Sequence, residues 1–581
     1  MPYAEIYCRS NFSFLQGASH PEELVRRAAA LGYSGLAITD ENSLAGIVRA
    51  HTAARTVKMK LLIGAEITPR NAPPVVLLAT DRASYGRLAR LITRGRRRAK
   101  KGNCRLSFDD VAAFSEGLHA AVSPEGLLRA QKNRSRHAVH LRQLQRYGDL
   151  FGSDCSLMAT LHLHRDDRGK LAQLQTLSQS LQLPLVAAGD VRYHTRRRRA
   201  LHEAVTAVRH STTVRHIRQH LPPNAEHHLR SVATIRKLYA AAPEAIERTL
   251  EIAGACHFSL DQLRYEYPEE LVPRGMTTRA HLAQLTWQGA RWRYPAGIGA
   301  DVSQRIEHEL SLISELHYEA YFLTVWDLVQ FARRQGILCQ GRGSAANSVV
   351  CYCLGITAID PARMDLLFER FVSRERNEAP DIDVDFEHER REEVLQYIYR
   401  KYGRHRVGMT AEVITYRPRS AIRDMGRSLG IAAETIDRVA KNAGRLKKID
   451  IETIKERTGP LNLPAPLLAR WIRLANALCG FPRHLSQHVG GMVMTRGRLS
   501  ELVPIENAAM AGRTVIEWNK DDLDALGILK VDCLSLGMLT AIRKALDLIE
   551  QHTGRKLTLA SIPAEDAAVY DMICRAETVG V

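Results

Sequence analysis

Short apolar runs alternate with amphipathic stretches along the first part of the chain, up to about residue 200. The runs at 35–40, 61–67, 74–81 and 184–190 have the length and composition of buried parallel strands. Stretches between them, such as 21–33 and 84–95, have apolar residues at helical spacing. This order of elements predicts an α/β barrel.

Acidic residues lie at or near the carboxyl ends of these four strands, namely Asp40, Glu66, Asp81 and Asp190. In α/β barrels the chemistry is built at this rim, so the acidic residues favour a metal or phosphoester site. For any single one of them, a turn-forming or helix-capping role explains the position equally well.

The pattern changes after the barrel. Residues 205–335 are mainly helical, and the sequence then becomes glycine-rich and strand-like. Two acidic strands follow, separated by a long and mostly helical stretch over about 387–480. Together these features predict a multidomain α/β protein in which one domain interrupts another.

The segment APDIDVDF, at 379–386, concentrates carboxylates on one strand face. Alternation places Asp381, Asp383 and Asp385 on one side of the strand and apolar side chains on the other. Carboxylates this close repel one another and are costly to desolvate, and a divalent cation such as Mg²⁺ relieves both costs. A solvated edge strand or a structural Ca²⁺ site would give the same pattern.

A second acidic strand, at 527–540, changes the balance between these choices. It places Asp532 inside an apolar run, where a lone carboxylate needs a partner. Two facing strands that contribute Asp381, Asp383 and Asp532 would hold two metal ions about 4 Å apart. Such an arrangement is typical of in-line phosphoryl transfer.

A glycine-rich turn, GRGS at 341–344, opens a segment of small and apolar residues. The backbone N–H groups of Gly341, Gly343 and Ser344 could hold phosphate oxygens, and Arg342 adds positive charge. Taken alone, the motif is better explained as an ordinary tight turn. Its position shortly before the acidic strand favours the phosphate interpretation.

Two further basic residues, Arg370 and Lys530, are candidate contacts to a triphosphate. Alternation puts Lys530 on the strand face that carries Asp532. Ordinary salt bridges would explain either side chain equally well.

The formal net charge is +19, from 82 basic and 63 acidic residues, and it favours a polyanionic partner such as nucleic acid. Basic residues cluster at 94–105, 194–202 and 441–448. The alternative is a basic enzyme with no nucleic-acid partner, whose clusters are solvated faces. The sequence shows no apolar run of membrane-spanning length and no secretory signal, so we expect a cytoplasmic protein with no membrane partner.

Several long motifs resemble one known family, in the same order. They resemble the catalytic core of bacterial C-family DNA polymerases, the family of the polymerase III alpha subunit. The motifs are, in chain order, GRGSAANSVVCYCLGIT, DLLFERFVSRERNEAPDIDVDF, IRDMGRSLG, SQHVGGMV and LKVDCLSLGMLT. The resemblance covers essentially the whole chain. Three further segments resemble the error-prone, damage-inducible paralogue more than the replicative enzyme. They are YAEIYCRSNFSFLQGASHPEELV, ITDENSLAGIVRAH and LPPNAEHHLR.

The resemblance implies a domain order. An N-terminal barrel of the polymerase-and-histidinol-phosphatase (PHP) type precedes a palm of the polymerase-beta nucleotidyltransferase type, which a helical thumb interrupts. The implied boundaries are 1–215 for the barrel, 216–300 for a helical connector, 301–412 and 488–540 for the palm, 413–487 for the thumb and 541–581 for the start of the fingers.

The resemblance also implies the site. Two Mg²⁺ ions would bind the catalytic carboxylates Asp381, Asp383 and Asp532. The triphosphate would contact Gly341, Arg342, Gly343, Ser344, Arg370 and Lys530. The implied reaction is template-directed addition of deoxynucleotides to a primer 3′ end, in error-prone translesion synthesis during DNA repair.

The implied substrates are primer–template DNA and deoxynucleoside triphosphates, at the nucleoid. A sliding clamp and DNA-damage accessory proteins are expected partners of the full-length form. The family continues beyond Val581, so we expect most of the fingers and the clamp-binding region to be missing here. A catalytically silent DNA-binding remnant is one alternative, and a PHP-type metallo-phosphoesterase is a less favoured one.

The barrel departs from the family at its metal site. Tyr7 and Arg9 stand where the family has a His-x-His pair, and Glu41 and Arg192 stand where it has two further histidines, whereas Asp40, Glu66 and Asp190 are retained. A phenol and guanidinium groups in place of neutral imidazoles remove ligands and add positive charge where cations would bind. We therefore predict a structural barrel without metal-dependent nuclease activity.

Overall fold

A computed structural model describes residues 2–129, 133–268, 271–361, 382–443, 449–559, 561–562 and 566–579. The first 255 residues contain the elements β1 (Ala4–Glu5), α1 (Pro21–Ala30), β2 (Gly35–Ile38), α2 (Ile47–Val57), β3 (Leu61–Ile67), β4 (Val75–Ala79), α3 (Arg82–Arg97), α4 (Phe108–Ala112), β5 (Leu118–Val122), α5 (Glu125–Arg129), α6 (Arg134–Phe151), β6 (Cys155–Thr160), α7 (Asp167–Leu181), β7 (Leu185–Ala188), α8 (Arg199–Arg209), α9 (Val232–Leu238) and α10 (Glu244–Ala255).

The remaining elements follow in chain order. The middle of the chain contains α11 (Thr278–Arg293), α12 (Ala300–Glu315), α13 (Glu319–Arg334), β8 (Cys339–Arg342), α14 (Val349–Cys353), β9 (Asp383–Glu387), α15 (Arg391–Tyr402), β10 (Val407–Thr415), α16 (Pro418–Ser428), α17 (Ala433–Asn442), α18 (Ile451–Thr458) and α19 (Ala465–Leu478). The last part contains β11 (Pro482–Met494), β12 (Ile505–Asn507), β13 (Thr514–Ile516), α20 (Lys520–Ala525), β14 (Val531–Leu536), α21 (Gly537–Thr553) and α22 (Ala567–Cys574). None of the described helices has the length and apolar character needed to cross a bilayer.

The predicted α/β barrel is confirmed. Strands β1 to β7 lie side by side in chain order in one sheet. A parallel bridge between Cys8 and Val191 joins the segment after β1 to the segment after β7, which brings the two edges of the sheet together. Apolar side chains from all around the barrel, such as Ile6, Leu62, Val76 and Val186, share its core.

One strand direction differs from the prediction. All four apolar runs were expected to be parallel strands, but β4 runs antiparallel to both β3 and β5. The link between β3 and β4 has no helix, and a parallel neighbour needs a crossover of a dozen or more residues. Asp81, which follows β4, is therefore at the opposite rim from the carboxyl ends of the parallel strands. It caps α3, where its Oδ1 accepts a hydrogen bond from the Ser84 N–H at 2.7 Å.

The chain divides into two compact units, and the first contains Met1–Tyr265, Gly408–His488 and Gly497–Leu526. In this unit the helices α16 to α19 share a hydrophobic core with α8 of the barrel. Trp471 is fully buried there and donates its indole N–H to the Ile422 carbonyl at 2.9 Å. The helices predicted as a thumb thus pack directly on the barrel.

The second unit contains Glu266–Val407, Val489–Arg496 and Gly527–Val581. Its sheet has the strand order β8, β9, β14 and the 489–494 part of β11. β9 is parallel to β14, whereas β8 and β11 are antiparallel to their neighbours. The apolar face of β9, formed by Val384 and Phe386, is fully buried, as the alternation predicted. The predicted domain boundaries themselves stay predictions.

Candidate active site

Four strands of the second unit bring one row of residues together. Arg342 on β8 lies opposite Asp383 on β9, Asp383 lies opposite Asp532 on β14, and Asp532 lies opposite Gly491 on β11. Neighbouring strands in a sheet are about 4.8 Å apart, and directly opposed side chains point to the same face. Two carboxylates far apart in sequence are therefore side by side, as predicted, next to a residue without a side chain.

Local sequence places these carboxylates where they are. On β9 the alternation that buries Val384 leaves Asp383 and Asp385 on the other face. On β14 the buried Val531 and Cys533 flank Asp532 in the same way. The side chain of Asp383 is 28% exposed, while that of Asp532 is 7% exposed. The site is thus a half-enclosed acidic row with one side accessible.

Two cations neutralise the row. The Nε of Arg342 is 2.9 Å from Asp385 Oδ2, and its Nη2 is 3.5 Å from Asp383 Oδ2. The Nζ of Lys530 is 2.5 Å from Asp532 Oδ2, and the Lys530 side chain is only 6% exposed. Partly buried carboxylates at this spacing need positive charge nearby, and the structure supplies it from the polypeptide itself.

The same donor set suits a divalent metal. Asp383 and Asp532 offer carboxylate oxygens from adjacent strands held in a rigid sheet, and hard cations such as Mg²⁺ prefer oxygen ligands. The Arg342 side chain, whose guanidinium contacts Asp383 and Asp385, is 53% exposed and so is open to solvent, whereas Lys530 is buried beside Asp532. Asp381, a predicted metal ligand, and Arg370, a predicted triphosphate contact, lie outside the described residues.

The glycine-rich turn has a different geometry from the one expected at its first residue. The N–H of Gly341 donates to the Ile356 carbonyl at 2.7 Å, so it is already used by the backbone. A Cβ on Gly341 would be 2.8 Å from the Ile356 oxygen, which explains why only glycine fits there. Gly343 has a φ of +67°, which favours glycine for a second reason. Of the residues predicted to contact phosphate here, Gly341 thus has its N–H engaged by the backbone, and the prediction continues to rest on Gly343, Ser344 and the Arg342 side chain.

Sequence reasoning missed one residue that supports this site. The hydroxyl of Tyr321, a fully buried side chain on α13, accepts a hydrogen bond from the Ile382 N–H at 2.9 Å. This contact fixes the start of β9 immediately before Asp383. The only sequence signal was the position of Tyr321 in an amphipathic helix, and that signal does not identify a partner.

In the barrel, several of the residues predicted to form an altered metal site do come together. Arg9 donates from Nε and Nη2 to the two carboxylate oxygens of Glu66, each at 2.7 Å, and its Nη1 is 3.5 Å from Asp190. The Tyr7 hydroxyl donates to Glu66 at 2.7 Å, and Arg192 is 3.0 Å from Asp190. These residues line a cavity of about 530 Å³.

Asp40 and Glu41 do not join that cluster. Asp40 accepts hydrogen bonds from the backbone and the hydroxyl of both Ser10 and Ser13, at 2.6 to 3.1 Å. Glu41 pairs with the Gln16 side chain. Both carboxylates therefore hold the loop after β1, and the cavity is lined without them.

Two histidines that sequence reasoning overlooked lie beside Asp190. His162, Asp190 and His227 have potential ligand atoms within 4.8 Å of one another. Burial would raise the pKa of Asp190, but Arg192, His227 and Arg9 together hold it well below its usual value. Burial also lowers the pKa of His162 to about 2. Because guanidinium groups already surround Asp190, this set does not fit the multi-metal centre of the PHP type.

Family models of known proteins match both the N-terminal barrel and the part of the chain that contains the acidic row. Residues 280–535 match the family model described as bacterial DNA polymerase III alpha NTPase domain, residues 5–155 match the PHP domain, and residues 538–581 match the bacterial DNA polymerase III alpha subunit finger domain.

Proteins named error-prone DNA polymerase from Rhodopirellula baltica, Alkalilimnicola ehrlichii and Bordetella parapertussis are 54%, 52% and 53% identical to this chain over its whole length. The chain covers 51%, 55% and 56% of them, so it spans about half the length of the curated relatives it matches. These matches agree with the ordered motifs and the in-register carboxylates, and the chain belongs to the bacterial DNA polymerase III alpha-subunit family.

Proposed function

We propose that the chain carries the nucleotidyltransferase centre of an error-prone, template-directed DNA polymerase. The observation that carries the proposal is the register between Asp383 and Asp532, which sets two carboxylates side by side with Lys530 and Arg342 around them. Phosphoryl transfer needs little covalent chemistry from the protein, and positioning and charge neutralisation provide most of the catalysis.

The proposed metal ligands are Asp381, Asp383 and Asp532, which would hold two Mg²⁺ ions. Bound there, the ions would supply Lewis-acid stabilisation for the primer 3′-oxygen and for the triphosphate. The protein's own contribution is a change of partner. Arg342 and Lys530, which contact carboxylates in this structure, would turn to the oxygens of an incoming triphosphate, with Arg370 as a third contact.

The turn at 341–344 would place backbone N–H groups of Gly343 and Ser344 beside the same phosphates. The positive φ of Gly343 turns the chain sharply between β8 and the segment that leads to α14, so successive N–H groups can face one anion. Primer–template DNA and deoxynucleoside triphosphates are the proposed substrates. The net charge of +19 is consistent with the DNA backbone as a partner.

The error-prone class rests on the relatives, since the three described above carry that name and are 52–54% identical to this chain. We accordingly propose translesion synthesis during DNA repair at the nucleoid. A sliding clamp and DNA-damage accessory proteins are proposed partners of the full-length form. The barrel is proposed to be structural, because Arg9 and Arg192 already pair with the carboxylates that metals would need.

Primer extension with Mg²⁺ and all four deoxynucleotides tests the proposal. The wild-type chain is compared with Asp383→Ala and with Asp301→Ala, whose side chain is 88% exposed on α12 and serves as the matched control. We expect extension by the wild type and the control and none by Asp383→Ala. Phosphoester cleavage or extension that does not depend on Asp383 would contradict the palm centre. DNA binding without extension by any variant would favour the silent remnant.

A further inference from the structure

The segment that follows the glycine-rich turn is anchored at its start by one buried carboxylate. Glu309, on α12 and 2% exposed, accepts hydrogen bonds from the Ser348 hydroxyl at 2.8 Å and from the N–H groups of Val349 and Val350 at 2.9 and 3.0 Å. Ser348 in turn accepts from the Cys351 N–H at 3.0 Å. The first turn of α14 is thus held from outside by a neighbouring helix.

Two arginines hold the other end of the same segment. Arg293, on α11, donates to the carbonyls of Tyr352 and Thr357 at 3.1 and 3.0 Å. Arg333, on α13, donates to the Gly355 carbonyl at 2.5 Å. Tyr352 lies in the last turn of α14, and Gly355 and Thr357 follow the helix, where the helix's own bonding pattern ends. Three helices therefore each contribute one charged side chain to a single short segment.

Two glycines bring neighbouring backbone close to this segment. Gly289 on α11 lies so close to α14 that a Cβ there would be 1.9 Å from the Cys353 carbonyl oxygen. The Gly341 N–H donates to the Ile356 carbonyl at 2.7 Å, which ties the glycine-rich turn itself to the far end of the clamped segment. The turn and the 348–357 segment are therefore joined directly by a backbone hydrogen bond.

Burying a carboxylate is costly unless several hydrogen bonds compensate it, and Glu309 accepts three. Ser348 already gives α14, a helix of five residues, a neutral cap through the Cys351 N–H, so Glu309 adds to a cap that is present. The arrangement does more than cap a helix, because an anion at one end and two cations at the other fix the position of the segment along its axis. A site that recognises phosphate oxygens needs its donors held to within about half an ångström.

We propose that Glu309, with Arg293 and Arg333, forms a positioning clamp that holds the 341–344 turn in place for the triphosphate. Glu309 acts through Ser348 and α14, and it is a positioning residue that touches no substrate. The proposal rests on the proposed polymerase function. It assigns to the helices α11 to α13 a role in deoxynucleotide affinity.

The test measures deoxynucleotide affinity and turnover separately. Binding of dATP with Mg²⁺ is titrated on the whole chain in complex with a dideoxy-terminated primer and a template whose next base is thymine. Primer extension then gives KM for dATP and kcat. The variants are Glu309→Gln and Arg293→Lys. The matched control is Asp327→Asn, another buried carboxylate, which pairs with Tyr397 and Lys401 instead.

We expect Glu309→Gln to raise Kd and KM for dATP about tenfold or more, because sub-ångström misplacement of binding groups has effects of this size. The value of kcat at saturating dATP, the affinity for primer–template and the melting temperature should match those of Asp327→Asn. Arg293→Lys keeps its charge but loses its forked geometry, and it should show a smaller rise of the same kind, which also covers the case in which Glu309→Gln does not fold.

An equal dATP affinity for Glu309→Gln and Asp327→Asn would overturn the clamp. A loss of kcat without a change in KM would also overturn it, because that result would place Glu309 in the carboxylate site. If the wild-type chain binds no dATP, the proposed polymerase function fails first and the clamp fails with it. The wild-type measurement thus separates the two failures.

Discussion

Removing Arg9 tests whether guanidinium groups stabilise the barrel in place of metal ions. The Arg9 side chain is 10% exposed and pairs with Glu66 and Asp190, whose side chains are 6% and 14% exposed. The variant Arg9→Met keeps most of the volume and removes the charge, so two carboxylates remain buried near one another. Removing one partner of a buried ion pair costs about 3–5 kcal/mol, and the same order is expected here for the free energy of unfolding.

Urea unfolding followed by tryptophan fluorescence measures this loss, since Trp471 and Trp518 are fully buried in the unit that contains the barrel. The double variant Arg9→Met/Glu66→Gln is the control. It also removes the negative charge of Glu66, which in the single variant is no longer neutralised and repels Asp190. It should be more stable than Arg9→Met alone. A midpoint for Arg9→Met equal to that of the wild type would refute the reasoning. A large rise in the wild-type midpoint on adding Mn²⁺ or Zn²⁺ would refute it as well.

Three further predictions concern pH, the turn and DNA. Burial raises the pKa of Glu517 from 4.5 to about 7. The stability that its protonated form contributes is therefore complete below pH 4.5 and is lost as pH rises through 7. In urea unfolding, Glu517→Gln should flatten the pH dependence of stability between these two values, and an unchanged pH profile would contradict this. Gly343→Ala should weaken dATP binding, because a φ of +67° costs a residue with a Cβ about 1–2 kcal/mol. The control Gly297→Ala, at a φ of +116° in a loop, should lower the stability without changing the affinity for dATP. Primer–template affinity measured by fluorescence anisotropy should fall steeply and log-linearly with salt, and a flat salt dependence would argue against contacts to the phosphate backbone.

The sequence by itself determined the local features of this protein. Alternation along 381–386 and 527–536 was enough to separate buried apolar residues from carboxylates on each strand, since side-chain direction in a strand depends only on position. The barrel and the mainly helical middle were also readable, because each is a pattern of neighbouring residues, whereas the altered metal motif was implied by the family resemblance. The two acidic strands predicted that Asp383 and Asp532 face each other, and the family resemblance implied the same residues.

Only the tertiary structure decided which distant groups meet. The register that places Asp532 beside Asp383, the antiparallel direction of β4, and the approach of His162 to Asp190 all depend on how separate elements pack. The three hydrogen bonds to Glu309 are of the same kind. Sequence patterns do not encode such contacts, because a buried polar side chain looks the same in an amphipathic pattern whatever its partner is. Its partner is selected when the surrounding elements close around it and every buried donor and acceptor must be satisfied.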